Sequence, residues 1–257
     1  CRTIIKHEDA FIDLAFQMGP LEGLKAEDIK KYISGDNACV INNPFNFEEI
    51  ESLSKINVAP SDFIFDAEKR YLICAGRLIS LKRFDLIISA LALLDEDIEL
   101  IVLGEGGERP RLVELSNAID VGSRVHFVGN VHNPFQFIRN ADIFVLSSET
   151  EGFPMVLIEA MACDTPIVST DCRSGPREIF DAEDTSLGGN CFEKTNYGIL
   201  TQVGDYECLS NAISILISDR VLMEEYRNNC RDRMLNFSAD KIVVGYLDNM
   251  QAMDPRL

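Results

Sequence analysis

The chain has 257 residues, with 24 Lys or Arg against 42 Asp or Glu, a net charge of −18 and 46% hydrophobic residues. That balance leaves no basic footprint for tracking DNA or RNA phosphates and no polybasic face for an anionic membrane surface. The composition is ordinary globular material, enough for one large domain or two smaller ones, and its longest apolar runs, such as 98–104, are strand-sized and far short of the roughly 18 residues of a membrane span.

In chain order, the sequence opens at Cys1 without a methionine, a positive segment or an apolar segment. No signal peptide is expected, and the sequence reads as a piece of a longer protein. Residues 1–40 carry a mixed, mostly helical pattern through 25–33 and Ser34-Gly35-Asp36, followed by the short apolar run 38–41. Asn42-Asn43-Pro44 breaks the chain, because the residue before a proline avoids the helical region. Residues 45–70 are polar, stop again at Pro60-Ser61-Asp62, and read as a connector.

From residue 71 a repeating beat begins. Strands are expected at 71–75, 98–103, 125–128, 142–146, 166–170 and 198–201. Helices are expected between them at 82–94, from Pro110 onward, at 134–139 and at 155–163, and then at about 205–217, 219–235 and 238–252. Strands apolar on both faces and alternating with helices predict an α/β fold, a Rossmann-like parallel sheet with helices on both faces. Right-handed crossovers then place every strand-to-helix loop at the carboxyl edge, where such sheets bind ligands.

The eight cysteines, at 1, 39, 74, 163, 172, 191, 208 and 230, are scattered without a C-x-x-C pair, which argues against a zinc knuckle or a thioredoxin-like redox site. Cys74 and Cys163 lie in apolar stretches and are expected to be small buried hydrophobes, in a reducing cytosol. No metal site is expected. Of the histidines, His126 lies within a strand, His132 in a loop, and neither suggests chemistry, nor does His7.

Three features fall on the carboxyl edge. Gly76-Arg77 follows the first strand and Lys82-Arg83 opens the next helix, so residues 71–94 hold three basic residues and one acid, net +2. These are either an anion clamp, gripping phosphate oxygens beside helix-terminal N–H groups, or solvated surface charges. Gly104-Glu105-Gly106-Gly107 does not match the G-x-G-x-x-G dinucleotide fingerprint, because position 109 is arginine; turn chemistry or room for a ligand explains its glycines. Glu151-Gly152-Phe153-Pro154 ends the loop after the fourth strand and leads into a helix, whose first N–H groups at 152–156 can face an anion. Glu159 lies amid Ile158, Ala160, Met161 and Ala162, where a carboxylate is costly unless it accepts hydrogen bonds, as from ribose hydroxyls; the alternative is a solvated helix residue.

Together, Ala75-Gly76-Arg77-Leu78 with Lys82, Leu103-Gly104-Glu105-Gly106, Val128-Gly129, Ser147-Ser148, Glu151-Gly152-Phe153-Pro154 and Glu159-Ala160-Met161-Ala162, in this order, resemble the C-terminal, donor-binding half of family-four retaining glycosyltransferases of the GT-B fold. The two glutamates with seven residues between them are that family's hallmark. Asn42-Asn43-Pro44-Phe45 is similar to the segment leading into this half, and 169–179 to bacterial members that add hexoses or N-acetylhexosamines to surface-polysaccharide or lipid-linked glycans. The resemblance implies that Arg77 and Lys82 hold the diphosphate of a nucleotide sugar beside Gly76. It further implies that Glu159 binds the ribose, Glu151 binds the donor sugar, and the backbone of Gly152, Phe153 and Pro154, with Val156, lines the sugar–phosphate region. Val128 and Gly129 would contact the base. Catalysis would rest on Glu151, Arg77 and Lys82, since fixed cations at the leaving diphosphate stabilise the transition state without a metal or other cofactor.

Two departures stand out. Asp164 occupies a position where the family often has glycine, and it is expected to end its helix with positive φ. The GT-B fold also needs an N-terminal Rossmann-like domain far longer than residues 1–44. The expected division is therefore 1–44 as a remnant of the acceptor domain, 45–235 as the nucleotide-sugar-binding domain, and 236–257 as a C-terminal helix that packs back on the absent half, leaving an apolar face. The implied partners are a nucleotide-sugar donor, with UDP expected, and a glycan or lipid-linked glycan acceptor reached through the absent domain; no nucleic acid is expected. The implied place is the cytoplasm, with any membrane association belonging to the absent half. A non-catalytic nucleotide-sugar-binding module and a GT-B-like nucleotide-sugar epimerase remain alternatives.

Overall fold

A computed structural model of the protein describes residues 2–6, 12–15, 38–42, 45–58, 63–173, 175–183, 187 and 189–244. Near its start, β1 (Arg2–Lys6), β2 (Ile12–Ala15) and β3 (Ala38–Asn42) form an antiparallel sheet in the order β2-β1-β3. The mostly helical reading of 1–40 is thus corrected: the β-branched run Thr3-Ile4-Ile5 favours a strand. The expected helix at 25–33 lies outside the described residues. The polar stretch after Pro44 is also more than a connector. Asn46 caps a helix, α1 (Phe47–Ser54), by accepting the Glu49 N–H at 3.2 Å, with Glu48 and Glu49 in its first turn.

The principal sheet is built from β4 (Arg70–Ala75), β5 (Ile98–Leu103), β6 (Val125–Gly129), β7 (Ile143–Leu146), β8 (Ile167–Thr170), β9 (Phe192–Lys194) and β10 (Ile199–Thr201), in the order β6-β5-β4-β7-β8-β10-β9. All neighbours are parallel except β9, which runs antiparallel to β10. The crossovers carry α2 (Phe84–Leu91), α3 (Arg109–Ala118), α4 (Phe135–Asn140) and α5 (Met155–Ala162), and the short α6 (Pro176–Ile179) follows β8. The long helices α7 (Tyr206–Ser218) and α8 (Arg220–Met234) come after β10.

Alternation along the strands splits the core into two layers. Leu72, Cys74, Leu100 and Val102 pack with Ile87, Leu91, Leu209 and Ile213 of α2 and α7. Tyr71, Ile73, Ile101 and Leu103 pack with Phe137, Leu157, Ile158 and Met161 of α4 and α5. Each such side chain withdrawn from water contributes about 1.5–3 kcal/mol, so burial on both faces fixes the register of the central strands.

Three local features differ from the sequence pattern. The helix expected from Lys82 begins at Phe84: Ser80–Lys82 form a 3₁₀ turn, and Arg83 takes φ 48°, which interrupts the ladder. The strand β9 and the helix α6 were not anticipated; β9 is three residues long and carries Glu193 and Lys194. Cys191 and Cys208 are joined by a disulfide that ties the start of β9 to α7, which is not the pairing that a reducing compartment favours. Cys74, Cys163, Cys172 and Cys230 are free and buried. Asp164 does adopt φ 59°, as expected.

After α8 the chain makes a 3₁₀ turn at Leu235–Phe237 and is helical again over 239–244. Phe45 donates its N–H to the Phe237 carbonyl and Ala239 donates to the Phe45 carbonyl, both at 3.3 Å, so this end is laced to the entry of α1. Val243 and Val244 are exposed. The rest of the expected terminal helix lies outside the described residues. Among the described residues no helix is long and apolar enough to cross a membrane.

Candidate functional site

The strand order reverses between β4 and β7, because the first crossovers run outward to β6 and the later ones return toward β8 and β10. In open sheets of this kind the loops at the reversal point diverge and leave a crevice. Here those loops are 76–83 after β4 and 147–154 after β7.

Neighbouring loops are laced together along the whole carboxyl edge. Gly104 N–H donates to the Gly129 carbonyl (2.8 Å), Leu78 N–H to the Glu105 carbonyl (2.9 Å) and Glu108 N–H to the Leu78 carbonyl (3.0 Å). Across the crevice, Glu149 N–H donates to the Leu81 carbonyl (2.9 Å) and the Ser147 hydroxyl to the Lys82 carbonyl (2.8 Å). The glycines of the second loop serve this close approach. A Cβ on Gly104, at φ 121°, would lie 2.0 Å from the Gly76 carbonyl oxygen. Gly104 and Gly106 make room for neighbouring backbone, and the loop forms no dinucleotide fingerprint.

Lys82 and Glu151, 69 positions apart, meet in the crevice. Lys82 Nζ lies 2.5 Å from Glu151 Oε1, and the Ser148 hydroxyl donates to the same oxygen at 2.6 Å. Glu151 is buried and Lys82 half-buried. Ser148, fully buried, is in turn placed by the Thr170 hydroxyl, which donates to its carbonyl at 2.7 Å. The local excess of positive charge read from 71–94 is therefore smaller than it looked. Lys82 is neutralised by Glu151 and Arg83 by Asp85 (3.1 Å), leaving Arg77, exposed and without an ion pair among the described residues.

The helix α5 begins directly after this loop, with Pro154 at its N-cap. Phe153 is buried against Phe237, ring centroids 5.9 Å apart. Val156 is half-buried in the first turn. Glu159 sits one turn further along, half-buried, its carboxylate without a hydrogen bond or ion pair among the described residues, and burial pushes its pKa above the usual carboxylate range. Val128 and Gly129 end β6 beside the Gly104 loop, where Glu105 and Arg109 form an ion pair and Arg109 also donates to the Phe127 carbonyl at 3.1 Å. Gly76 and Gly129 are thus connected through the backbone of Gly104, and Lys82 and Glu151 through their side chains. Sequence reasoning had assigned no role to Ser147, Ser148 or Thr170; the Ser147-Ser148 pair before the glutamate was the available signal.

Other reactive groups near the crevice are silenced. Burial pushes the Cys172 thiol up to about 12, with Glu151 adding to the shift, so no thiolate is available there. Away from the crevice, toward the strand starts, His126 pairs with Glu99 at 2.7 Å as a structural residue. Among the described residues no group of three or more His, Cys, Asp or Glu is arranged to hold a metal ion.

A doubly wound sheet with cations, a paired carboxylate and a carboxylate without a partner among the described residues around its reversal point defines a Rossmann-like domain whose crevice lies where such sheets take ligands. The chain belongs to the family described as glycosyl transferases group 1, whose model matches residues 58–233. It is 28% identical over 210 residues to the Campylobacter jejuni N-acetylgalactosamine-N,N'-diacetylbacillosaminyl-diphospho-undecaprenol 4-alpha-N-acetylgalactosaminyltransferase, covering 82% of this chain and 52% of that protein. It is 29% identical over 182 residues to the lipopolysaccharide core biosynthesis glycosyltransferase LpsE of Rhizobium meliloti, covering 70% of this chain and 49% of that protein. The chain thus spans about half the length of the curated relatives it matches. Among solved structures, Anabaena HepE in complex with UDP superposes with a TM-score of 0.67 at 22% identity, over 82% of this chain and 57% of that one. A TarM structure superposes with a TM-score of 0.69 at 21% identity, over 87% of this chain and 41% of that one. These neighbours share the fold, that of GT-B glycosyltransferases.

Proposed function

We propose that the chain supplies the donor-binding half of a retaining glycosyltransferase of family four. The enzyme would transfer a hexose or N-acetylhexosamine from a UDP-sugar to a glycan or lipid-linked glycan acceptor. The observation that supports this most directly is the Lys82–Glu151 pair at the reversal point, beside an unpaired Arg77, in a chain of the glycosyl transferases group 1 family. The names of the relatives point the same way: one acts on a diphospho-undecaprenol acceptor, and HepE was solved with UDP.

In this proposal Arg77 and Lys82 grip the diphosphate, which competes with Glu151 for the Lys82 ammonium. Glu151, relieved of part of that contact, takes a hydroxyl of the donor sugar, and Glu159 accepts from the ribose. Backbone at Gly76 and at Gly152, Phe153 and Pro154 lines the phosphate–sugar region beside Val156, while Val128 and Gly129 face the base. As the bond from the sugar to the diphosphate breaks, negative charge grows on the leaving group, and the two fixed cations stabilise it more than they do the ground state. No step is assigned to a metal. Residues 45–235 are proposed as the donor domain, 1–44 and 236–257 as its links to an acceptor domain outside this sequence, and the cytoplasm as the place of reaction.

Calorimetry with UDP tests the clamp. Charge-assisted contacts contribute about 1.5–3 kcal/mol each, so the Arg77→Ala, Lys82→Ala double variant is expected to bind UDP on the order of 100-fold more weakly or worse. Equal affinity for the two proteins would sink the proposal.

A further inference from the structure

Glu151 is held from behind by a loop that the donor contacts do not include, and we propose that Arg177 is the positioning residue that keeps that loop in place. The consequence for the donor rests on the function proposed above; the brace itself does not.

Arg177 opens α6 and is mostly buried, its side chain 15% exposed. Its Nε donates to Asp171 Oδ2 at 2.9 Å, Nη2 to Glu193 Oε2 at 2.9 Å and Nη1 to the Glu183 carbonyl at 2.8 Å. One guanidinium thereby joins the end of β8, the antiparallel edge strand β9 and the segment after α6. Asp171 is itself anchored, since its N–H donates to the Thr201 carbonyl of β10 at 2.7 Å. The Asp171–Arg177 pair therefore closes the loop 171–177 at both ends.

Two contacts from inside that loop fall on the segment carrying Glu151. The Arg173 carbonyl accepts from Glu151 N–H at 2.9 Å and from the Thr150 hydroxyl at 2.8 Å. Gly175, at φ 107°, lies so close to the start of α5 that a Cβ there would be 2.4 Å from Pro154 Cδ and 3.2 Å from Phe153 Cα. The 147–154 segment is thus held at Ser147 and Glu149 by Lys82 and Leu81, and over 150–154 by Arg173 and Gly175 of the 171–177 loop. No hydrogen bond or ion pair joins Arg177 to Glu151 directly. It acts through the loop, and its planar fork reaches three acceptors that a lysine ammonium could not meet in the same geometry.

Releasing the brace leaves the β4, β5 and β6 loops intact, so the nucleotide end of the site is kept while the sugar end is loosened. Amide hydrogen exchange on the whole 257-residue chain reads the brace directly. In Arg177→Ala the Glu151 amide is expected to exchange about tenfold faster or more, with the amides of β4 and β5 unchanged. Arg177→Lys is expected to fall between this variant and the wild type, and it carries the test if the alanine variant does not fold. Calorimetry with UDP and with UDP-N-acetylglucosamine then reads the consequence. UDP affinity is expected to stay within about twofold while the UDP-sugar weakens by about fivefold or more. An unchanged Glu151 amide overturns the brace whatever binds; equal weakening of UDP and UDP-sugar overturns its sugar-end role. If the wild-type chain binds neither ligand, the proposed function falls, and the exchange measurement still decides the brace.

Discussion

The two edges of the principal sheet use charge differently. At the amino edge charges are spent on the protein itself. Arg124 donates to the carbonyls of Leu91, Asp95 and Ile98 at 2.9–3.3 Å, and Asp142 accepts the Tyr71 N–H at 2.7 Å. Asp164 joins Arg139 and Arg231 at 3.1 and 2.7 Å, tying the end of α5 to α4 and α8. At the carboxyl edge Lys82, Arg83 and Arg177 are paired as well, but among the described residues Arg77 has no ion pair and the half-buried Glu159 carboxylate has neither a hydrogen bond nor an ion pair. Arg77 is solvated, whereas a half-buried carboxylate without a partner costs stability, which sets Glu159 apart from the charges of the amino edge.

The largest effect expected from breaking this contrast lies at the amino edge. Asp164→Ala removes both ion pairs and puts a Cβ residue without a stabilising side chain at φ 59°, and is expected to cost about 3 kcal/mol in urea unfolding. Asp164→Gly relieves the backbone and should recover about 1 kcal/mol of that loss. The pH dependence identifies the cause. Burial alone would raise the Asp164 pKa, but hydrogen bonds and charge from Arg231 and then Arg139 outweigh it and hold the pKa below the usual value. A lowered folded pKa gives stability that is present above the unfolded value near 4 and lost as the pH falls through the folded one. The gap between wild type and Asp164→Gly should therefore narrow in acid. A gap that stays constant below pH 4 would remove the ion pairs as its source.

A smaller effect is expected at the carboxyl-edge pair that lies in the crevice itself. Lys82→Ala leaves Glu151 buried with the Ser148 hydroxyl and its remaining contacts but removes the Lys82 ammonium, and should cost about 1–2 kcal/mol. Thermal unfolding measures this. No loss at all would mean that Lys82 is held no more firmly than a surface lysine, and that the two edges differ less than the geometry indicates.

How far this contrast could be read without a structure depended on whether each residue's partner was near it in sequence. The strands β4 to β8 were legible because stretches such as Leu72-Ile73-Cys74 are apolar on both faces and alternate with helical spacings. The edge strand β9 was not, because three residues with two charges carry no period. The strand β1 was misread because Arg2 and Lys6 bracket its short β-branched core. The positive φ at Asp164 followed from the family resemblance, which often has glycine at this helix end. Arg77, Lys82, Glu151 and Glu159 were picked out by motif order, yet their pairing state was not. Nothing in the sequence says that Lys82 meets Glu151 while Arg77 stays unpaired, since that depends on two loops that only the reversal of strand order brings together. The Asp171–Arg177–Glu193 network was hidden for the same reason, its third member lying on the strand that sequence reasoning missed.

The smallest effect separates function from stability within α5, which carries Glu159 and ends just before Asp164. Glu159 is the opposite case to Asp164: burial without a partner raises its folded pKa. Whatever it contributes to stability is fully present below the unfolded value near 4 and is lost as the pH rises through the folded value. At neutral pH the ionised carboxylate is therefore a burden on the free protein. Glu159→Gln keeps the shape and removes the charge, and should raise stability by about 1 kcal/mol at pH 8, with the gain shrinking toward zero near pH 4. The same substitution should weaken UDP, because an amide oxygen accepts from ribose hydroxyls less strongly than a carboxylate does. Urea unfolding at the two pH values, paired with UDP titration, separates the outcomes. A variant that is both more stable and weaker in binding marks a charge kept for a ligand. A variant that loses stability at pH 8 would show that Glu159 is held by the protein after all, and would move it to the amino-edge class.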